Sequence, residues 1–305
     1  MTLPRFLVIG APRCGTTFLV KNLRLHPDIF MPEEGAELGS DDVHFFDNHT
    51  EKGSINFSRG FSWYRSLFQG CGEGQVPGEK TADYLCSAES AKLILEGLGS
   101  DIKLIVVIRD PVSRAYSHYL HSRHRLPISL SFNNIVKRAE DPQEVPVLSS
   151  GLYWKHLEPY FDRFPASNIL ILLNDDLEST PEDVLIRACR FLGVREDVSF
   201  GMSDSRINVS SVGLVSHLSA RAGRILKALS PGFYDWLMTG PLSRLLETVI
   251  LSMRGKSSPS DLNPTGRHKE IGEGNVLRLR NYYRYDVAHL SALLERDLAK
   301  LWWDE

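Results

Sequence analysis

Phe6-Leu7-Val8-Ile9, running into Gly10-Ala11-Pro12-Arg13-Cys14-Gly15-Thr16-Thr17, is the stretch on which the fold turns. The first four residues are uninterruptedly apolar, as expected of a strand buried on both faces of a parallel sheet. Phe18, Leu19, Leu23 and Leu25 then recur at near-helical spacing, and His26-Pro27 closes the helix. A strand that enters a glycine-bounded turn and leaves as a helix aims backbone N–H groups and the helix dipole at one point, where an anion is held. Gly10 and Gly15 let the backbone curl close to a ligand, and the Thr16 and Thr17 hydroxyls add donors at the helix start. A bare strand–helix turn without a ligand is the plainer alternative.

The spacing is that of the nucleotide loop G-x-x-x-x-G-K-[ST], with one departure: Thr16 stands where the lysine belongs. A kinase or ATPase needs that ammonium on the β- and γ-phosphates. Here the cation lies upstream, at Arg13, which suits an anion with no γ-phosphate.

Further along, Ser87 caps a predicted helix to Glu96, with Gly97 and Gly99 as its stop. Lys103–Ile108 is the strongest strand, followed by Pro111 at a helix start and a helix over Val112–Arg123. A helix over Tyr153–Phe164 ends at Pro165. A third buried strand covers Asn168–Leu173, and a helix over Pro181–Leu192 stops at Gly193. Residues Met31–Gly60 read as loops with short ordered pieces. Alternating strands and helices predict an α/β fold with a doubly wound parallel sheet flanked by helices. Val212–Met253 is helical in pattern, mixing apolar residues with Arg221, Arg224, Lys227 and Arg244, with Arg254 just after, and Lys256–Gly266 is a polar loop. The helical stretch reads as a packed helical cap, an acceptor-side lid, or a membrane-surface contact. Asn275–Trp303 is helical again. The expectation is a single domain over 1–305: an α/β core at 1–211, the helical subregion at 212–262, and a covering loop with a closing helix at 263–305.

Composition narrows the function. The 305 residues carry a formal net charge of −3, with no long basic run and hence no support for a nucleic-acid binder. Cys14, Cys71, Cys86 and Cys189 form no C-x-x-C pair and no zinc-ligand cluster, so reduced thiols and no metal are expected. There is no signal-peptide pattern and no apolar run long enough to span a bilayer, and the glycine loop starts at residue 10; the location expected from these is the cytoplasm.

Gly10–Thr17 resembles the 5′-phosphosulfate loop of sulfotransferases that use 3′-phosphoadenosine 5′-phosphosulfate (PAPS). Ile108-Arg109-Asp110-Pro111-Val112-Ser113-Arg114-Ala115-Tyr116-Ser117-His118-Tyr119 resembles the same family's 3′-phosphate motif, in which Arg109 and Ser117 would hold that phosphate. Asp41-Asp42-Val43-His44-Phe45-Phe46-Asp47 is similar to its acceptor-side motif, and Gly78-Glu79-Lys80-Thr81-Ala82-Asp83-Tyr84 to its Glu-Lys-[Ser/Thr]-x-x-Tyr segment. The heparan-sulfate-type and bacterial carbohydrate branches are the most similar. Thr265-Gly266-Arg267 resembles a late Lys-Gly-Arg loop over the nucleotide, with Thr265 in place of lysine.

The resemblance implies a PAPS co-substrate without metal, and a hydroxyl (or amine) acceptor on a carbohydrate or small metabolite. Sulfuryl transfer leaves the protein mainly positioning and charge stabilisation, by analogy with phosphoryl transfer. Arg13 is the candidate cation for the leaving group, with Pro12, Cys14, Gly15, Thr16 and Thr17 completing the loop, and Lys80 is a second cation near the sulfonate. Asp42 stands where the resembling enzymes carry Glu, and is the candidate base, assisted by His44 two residues on. Tyr153 and His156, one helical turn apart, face either the ligands or the core. Trp302 and Trp303 read as core or interface packing. Two other functions stay open: a nucleotide-binding homologue without catalysis, which the shorter Asp42 permits, and a small-molecule kinase, against which Thr16 argues.

Overall fold

The computed structural model describes residues 2–32, 41–123, 131–139, 145–198, 200 and 271–303. Five parallel strands form the sheet, in the order β2 (Ile29–Phe30), β3 (Val76–Lys80), β1 (Phe6–Gly10), β4 (Lys103–Ile108), β5 (Ile169–Leu173). β1 (Phe6–Gly10) is buried at every position, and β4 (Lys103–Ile108) at every position after its first. The two pair in the middle of the sheet, Phe6 opposite Lys103 and Gly10 opposite Val106. Burying each of their Leu, Ile and Val side chains is worth about 1.5–3 kcal/mol, which fixes these strands as the core. β5 (Ile169–Leu173) lines the far side of β4.

Helix α1 (Thr16–Leu23) follows β1. The connection from β3 to β4 runs through a 3₁₀ turn at Tyr84–Cys86 and α4 (Ala88–Leu98). Ser87 caps α4 by accepting the Ser90 N–H, and Gly99 ends it. Helix α5 (Pro111–Ser122) follows β4, capped by the Asp110 carboxylate, which accepts from Val112 N and Ser113 N. Next come α6 (Phe132–Lys137), α7 (Pro146–Ser149) and α8 (Tyr153–Phe161) before β5, then α9 (Asn174–Ser179) and α10 (Pro181–Leu192) after it.

The sheet holds two strands that the sequence pattern does not predict. β2 is only Ile29–Phe30, and β3 is Val76–Lys80, wedged between β2 and β1. β3 contains a proline, a glycine and two charges, which reads as loop. Its glycine is a packing requirement: a Cβ on Gly78 would lie 2.2 Å from the Phe6 ring. Within Met31–Gly60, α2 (Glu51–Ser58) is a regular helix capped by Thr50, and α3 (Gly60–Ser66) follows it. Tyr153–Phe164 is helical only to Phe161. The closing segment is two helices, α11 (Glu273–Leu294) and α12 (Leu298–Trp303), because Glu295 turns left-handed at φ 50°.

Trp302 and Trp303 are buried, their indole N–H groups donating to Asp175 and Asp110 respectively, which is the packing role expected of them. All four cysteines are free thiols. Among the described residues no helix is long and apolar enough to cross a membrane. Residues 212–262, with the basic residues named above, and Thr265, Gly266 and Arg267 lie outside the described residues.

Candidate active site

In a parallel sheet all strands deliver their carboxyl ends to one edge, and ligands sit where the strand order reverses. Here the chain leaves β1 for β2 and β3 on one side and returns to β4 and β5 on the other. The carboxyl ends of β3, β1 and β4 are therefore neighbours, about 4.8 Å apart strand to strand. They carry Lys80, the Gly10–Thr17 loop and Arg109.

The loop ends at Gly15, whose φ of 94° places it in the left-handed region immediately before α1. A Cβ there would also lie 2.5 Å from the Asn174 side-chain oxygen. Gly10 serves differently: its φ is unexceptional, and the absent Cβ makes room for Leu85, which would otherwise approach to 2.6 Å. Arg13 is a non-glycine residue at φ 68°, a conformation that persists only where surroundings enforce it. Thr16 is buried at the first position of α1 and Thr17 is half-buried beside it. Cys14 is buried, and burial pushes its thiol up, so it is a neutral packing group.

The Arg109 segment is tied to the Gly10–Thr17 loop. The Arg109 guanidinium donates to the Arg13 carbonyl at 3.2 Å. The Tyr153 hydroxyl donates to the Arg109 carbonyl at 3.0 Å and lies 3.4 Å from Cys14 Sγ. Tyr153 is thus a fully buried strut between loop and strand end, while His156 donates to the Ser149 carbonyl. Burial, and then the charge of Arg109, push the Arg13 guanidinium down. Its Nε is buried with no partner among the described residues, and no described carboxylate pairs with Arg13 or Arg109. Two adjacent cations with unmatched donors favour an anion between them. Ser117 sits half-buried on α5, two helical turns beyond Arg109.

Next to Ser117 is a group that sequence reasoning missed. His118 Nδ1 lies 3.2 Å from Arg114 Nη1. An arginine can only donate, so Nδ1 accepts and the proton of the neutral ring sits on Nε2. Burial, then the charges of Arg114 and Arg13, push His118 down to about 3, so it stays neutral. No signal within the chain distinguishes it, because Arg114 is itself fully buried against the Val147 and Leu148 carbonyls, and this contact brings α7 to α5.

On the other side of the loop, Asp42 runs alongside β3, forming a bridge to Lys80. One carboxylate oxygen meets Lys80 Nζ at 2.9 Å and the other accepts the Ala82 N–H at 2.9 Å. Lys80 is only 5% exposed and Asp42 23%, so the pair sits at the rim of the core and opens toward solvent on the carboxylate side. His44, at φ 52°, holds Asp47 through Nδ1 at 2.6 Å. Burial opposes its protonation, but Asp47, with Asp42 and Asp83 nearby, more than offsets this and moves the imidazole up. Asp42 and His44 do not hydrogen-bond to each other: one is committed to Lys80, the other to Asp47. Arg24 pairs with Asp41 at 2.8 Å, so the neighbouring carboxylate has a cation of its own. Among the described residues no group of His, Cys, Asp or Glu gathers as a metal site.

Residues 3–209 match the family model described as "Sulfotransferase domain". Mouse heparan sulfate glucosamine 3-O-sulfotransferase 3A1 is 35% identical over 201 residues, covering 65% of this chain and 47% of that protein. Mouse bifunctional heparan sulfate N-deacetylase/N-sulfotransferase 3 is 32% identical over 208 residues, 63% of this chain and 22% of that protein. The chain thus spans about half the length, or less, of these curated relatives. Among solved structures, a sulfotransferase from Alicyclobacillus acidocaldarius superposes with a TM-score of 0.57 at 26% identity, covering 75% of this chain and 96% of that one. With the model matching more than half of the chain, across the Gly10–Thr17 loop, the Arg109 segment and the Asp42–Lys80 pair, the protein belongs to the sulfotransferase family.

Proposed function

We propose that this protein transfers the sulfuryl group of PAPS to a sugar hydroxyl, on an acceptor of the heparan-sulfate type. The observation that carries this is the meeting, at the adjacent carboxyl ends of β3, β1 and β4, of an arginine couple that no described carboxylate pairs and a carboxylate–lysine pair. One binds anions and the other handles a proton, and in-line transfer needs both. The similarity to a glucosamine 3-O-sulfotransferase supports the acceptor class.

Bound PAPS supplies an activated sulfuryl group and a stable bisphosphate leaving group. The loop N–H groups at Gly15–Thr17 and the α1 dipole receive the 5′ end, and Arg13 stabilises charge on the departing oxygen. Arg109 with Ser117 holds the 3′-phosphate, and neutral His118 offers a further N–H on that side. Tyr153 keeps the two motifs in register from within the core. Asp42 takes the acceptor's proton, Lys80 neutralises the sulfuryl oxygens, and the His44–Asp47 pair orients the acceptor hydroxyl. Asp is one methylene shorter than Glu, and its alignment along β3 sets how far into the cleft it reaches.

The test is incubation with PAPS and an N-sulfated glucosamine oligosaccharide, following adenosine 3′,5′-bisphosphate release and the mass of the sugar. Acceptor-dependent release with a gain of one sulfate per sugar is the expected result. Release that no sugar accelerates would remove the acceptor class, and no release at all would leave a nucleotide-binding homologue.

A further inference from the structure

Three residues of the β3 segment take no part in this chemistry, yet they share one buried network. The Thr81 hydroxyl accepts the N–H of Val43 at 3.0 Å and of His44 at 2.9 Å. The Tyr84 hydroxyl accepts the next two, Phe45 at 2.9 Å and Phe46 at 3.2 Å. Each of these oxygens has both lone pairs engaged by backbone donors, so each must give its own proton away. Thr81 Oγ1 reaches Glu79 Oε2 at 3.2 Å, with the Lys80 carbonyl at 2.9 Å as its alternative. The Tyr84 hydroxyl lies beside the Glu79 carboxyl, and the Tyr64 hydroxyl donates to Glu79 Oε1 at 3.2 Å. Glu79 is 1% exposed, and Thr81, Tyr84 and Tyr64 are fully buried.

The four consecutive N–H groups held this way belong to the turn that follows Asp42 and contains His44 at positive φ. Val43 N–H also reaches the Lys80 carbonyl at 3.1 Å, but the N–H groups of His44, Phe45 and Phe46 find no backbone acceptor among the described residues, so side chains must satisfy them. On its other side Asn56 donates to the Val43 carbonyl at 3.0 Å. We infer that Glu79 is a positioning residue: through the hydroxyls of Thr81 and Tyr84 it fixes residues 43–46 in the shape that presents Asp42 and His44 to the acceptor. The catalytic half of this inference depends on the sulfotransfer reading; the structural half does not.

Amide hydrogen exchange measured by NMR on the full chain separates the two halves. Thr81→Val should speed exchange at His44 about tenfold for one lost hydrogen bond, and less at Val43, which keeps the Lys80 carbonyl; Tyr84→Phe should do so at Phe45 and Phe46 only. Thr81→Ser, which keeps the hydroxyl, should restore the wild-type pattern. Glu79→Leu should speed all four amides together. Where Glu79→Leu does not fold, Glu79→Gln measured at pH 9 replaces it, since Gln offers one acceptor where the ionised carboxyl offers two. Exchange that rises evenly along the chain, or at none of these amides, would overturn the inference.

Turnover of PAPS with the N-sulfated oligosaccharide supplies the second readout. In Glu79→Gln and Tyr84→Phe at pH 9, kcat should fall at least about tenfold while the affinity for adenosine 3′,5′-bisphosphate holds within about twofold. Unchanged kcat beside altered exchange would refute positioning, and equal losses in both would mark a merely structural role. A wild-type chain that turns over no PAPS would defeat the functional reading alone, and the exchange pattern would still decide the network.

Discussion

Replacing Asp42 by Asn separates proton transfer from nucleotide binding. Asn can keep one oxygen on the Ala82 N–H, so the backbone alignment along β3 survives. What changes is the other oxygen, 2.9 Å from Lys80 Nζ: the amide turns a donor toward an ammonium that is itself 5% exposed. Removing one member of a fully buried ion pair costs about 3–5 kcal/mol. With Asp42 23% exposed, water replaces part of that interaction, and a loss of about 1–3 kcal/mol in fold stability is expected. The kinetic effect is separate and larger: a lost general base costs about 10²–10⁴-fold in turnover, or about 3–5 kcal/mol of barrier. The assay is PAPS turnover with the oligosaccharide acceptor, beside calorimetric binding of adenosine 3′,5′-bisphosphate and a thermal melt. Bisphosphate affinity should stay within about threefold, because Arg13 and Arg109 are untouched. Asp42→Glu, restoring the carboxylate with one more methylene, should stay within about tenfold of wild type. A folded Asp42→Asn protein with near-normal turnover would take Asp42 out of the mechanism, and one that loses bisphosphate affinity would move it to the nucleotide side.

Arg109→Ala should weaken adenosine 3′,5′-bisphosphate by about 10–100-fold in calorimetry, the worth of charge-assisted hydrogen bonds to one phosphate; unchanged affinity would show that Arg109 only braces the Arg13 carbonyl. Gly15→Ala should destabilise the fold by about 1–3 kcal/mol in a denaturant titration, since it strains a φ of 94° and drives a methyl to 2.5 Å from Asn174; adding Asn174→Ala should recover only the steric part. Burial pushes Glu79 up to about 8 from an ordinary 4.5, so the folded state holds a proton across that interval that the unfolded chain has released. Its contribution to stability therefore falls as pH rises from about 4.5 to 8, and wild type minus Glu79→Gln should show that slope in melts. Asp286, pushed by burial up to about 6, acts in the same direction at lower pH, and a Glu79 difference independent of pH would contradict its burial as a neutral acid.

The sheet's centre was legible because β1 and β4 are buried on both faces and can be nothing but apolar. β3 was not, since a strand whose neighbour on one side is two residues long tolerates Pro77, and Gly78 is dictated by the Phe6 ring across the sheet. The break before α12 was hidden for a similar reason: Glu295, not a glycine, takes the left-handed cap, held by Arg296 N–H on the Ser291 carbonyl. Arg13, Arg109, Asp42 and Lys80 were visible as chemistry-bearing types at motif spacings. Their mutual commitments were not. That Asp42 belongs to Lys80 while His44 belongs to Asp47 depends on the register of a bridge between segments 38 residues apart. Tyr153 carried two readings that only burial could separate, and it lies in the core bonded to the Arg109 carbonyl.

The most direct measurement is the shift in melting temperature with adenosine 3′,5′-bisphosphate against ATP–Mg²⁺, in wild type and Arg109→Ala. A loop gripping a PAPS-type ligand predicts stabilisation by the bisphosphate of about 3 kcal/mol at a hundredfold excess over Kd, a rise of about 5 °C or more. It predicts that the rise falls to about half or less in Arg109→Ala at the same concentration, and that ATP–Mg²⁺ gives almost none. Stabilisation by ATP–Mg²⁺ with no response to the bisphosphate would contradict the account at its centre.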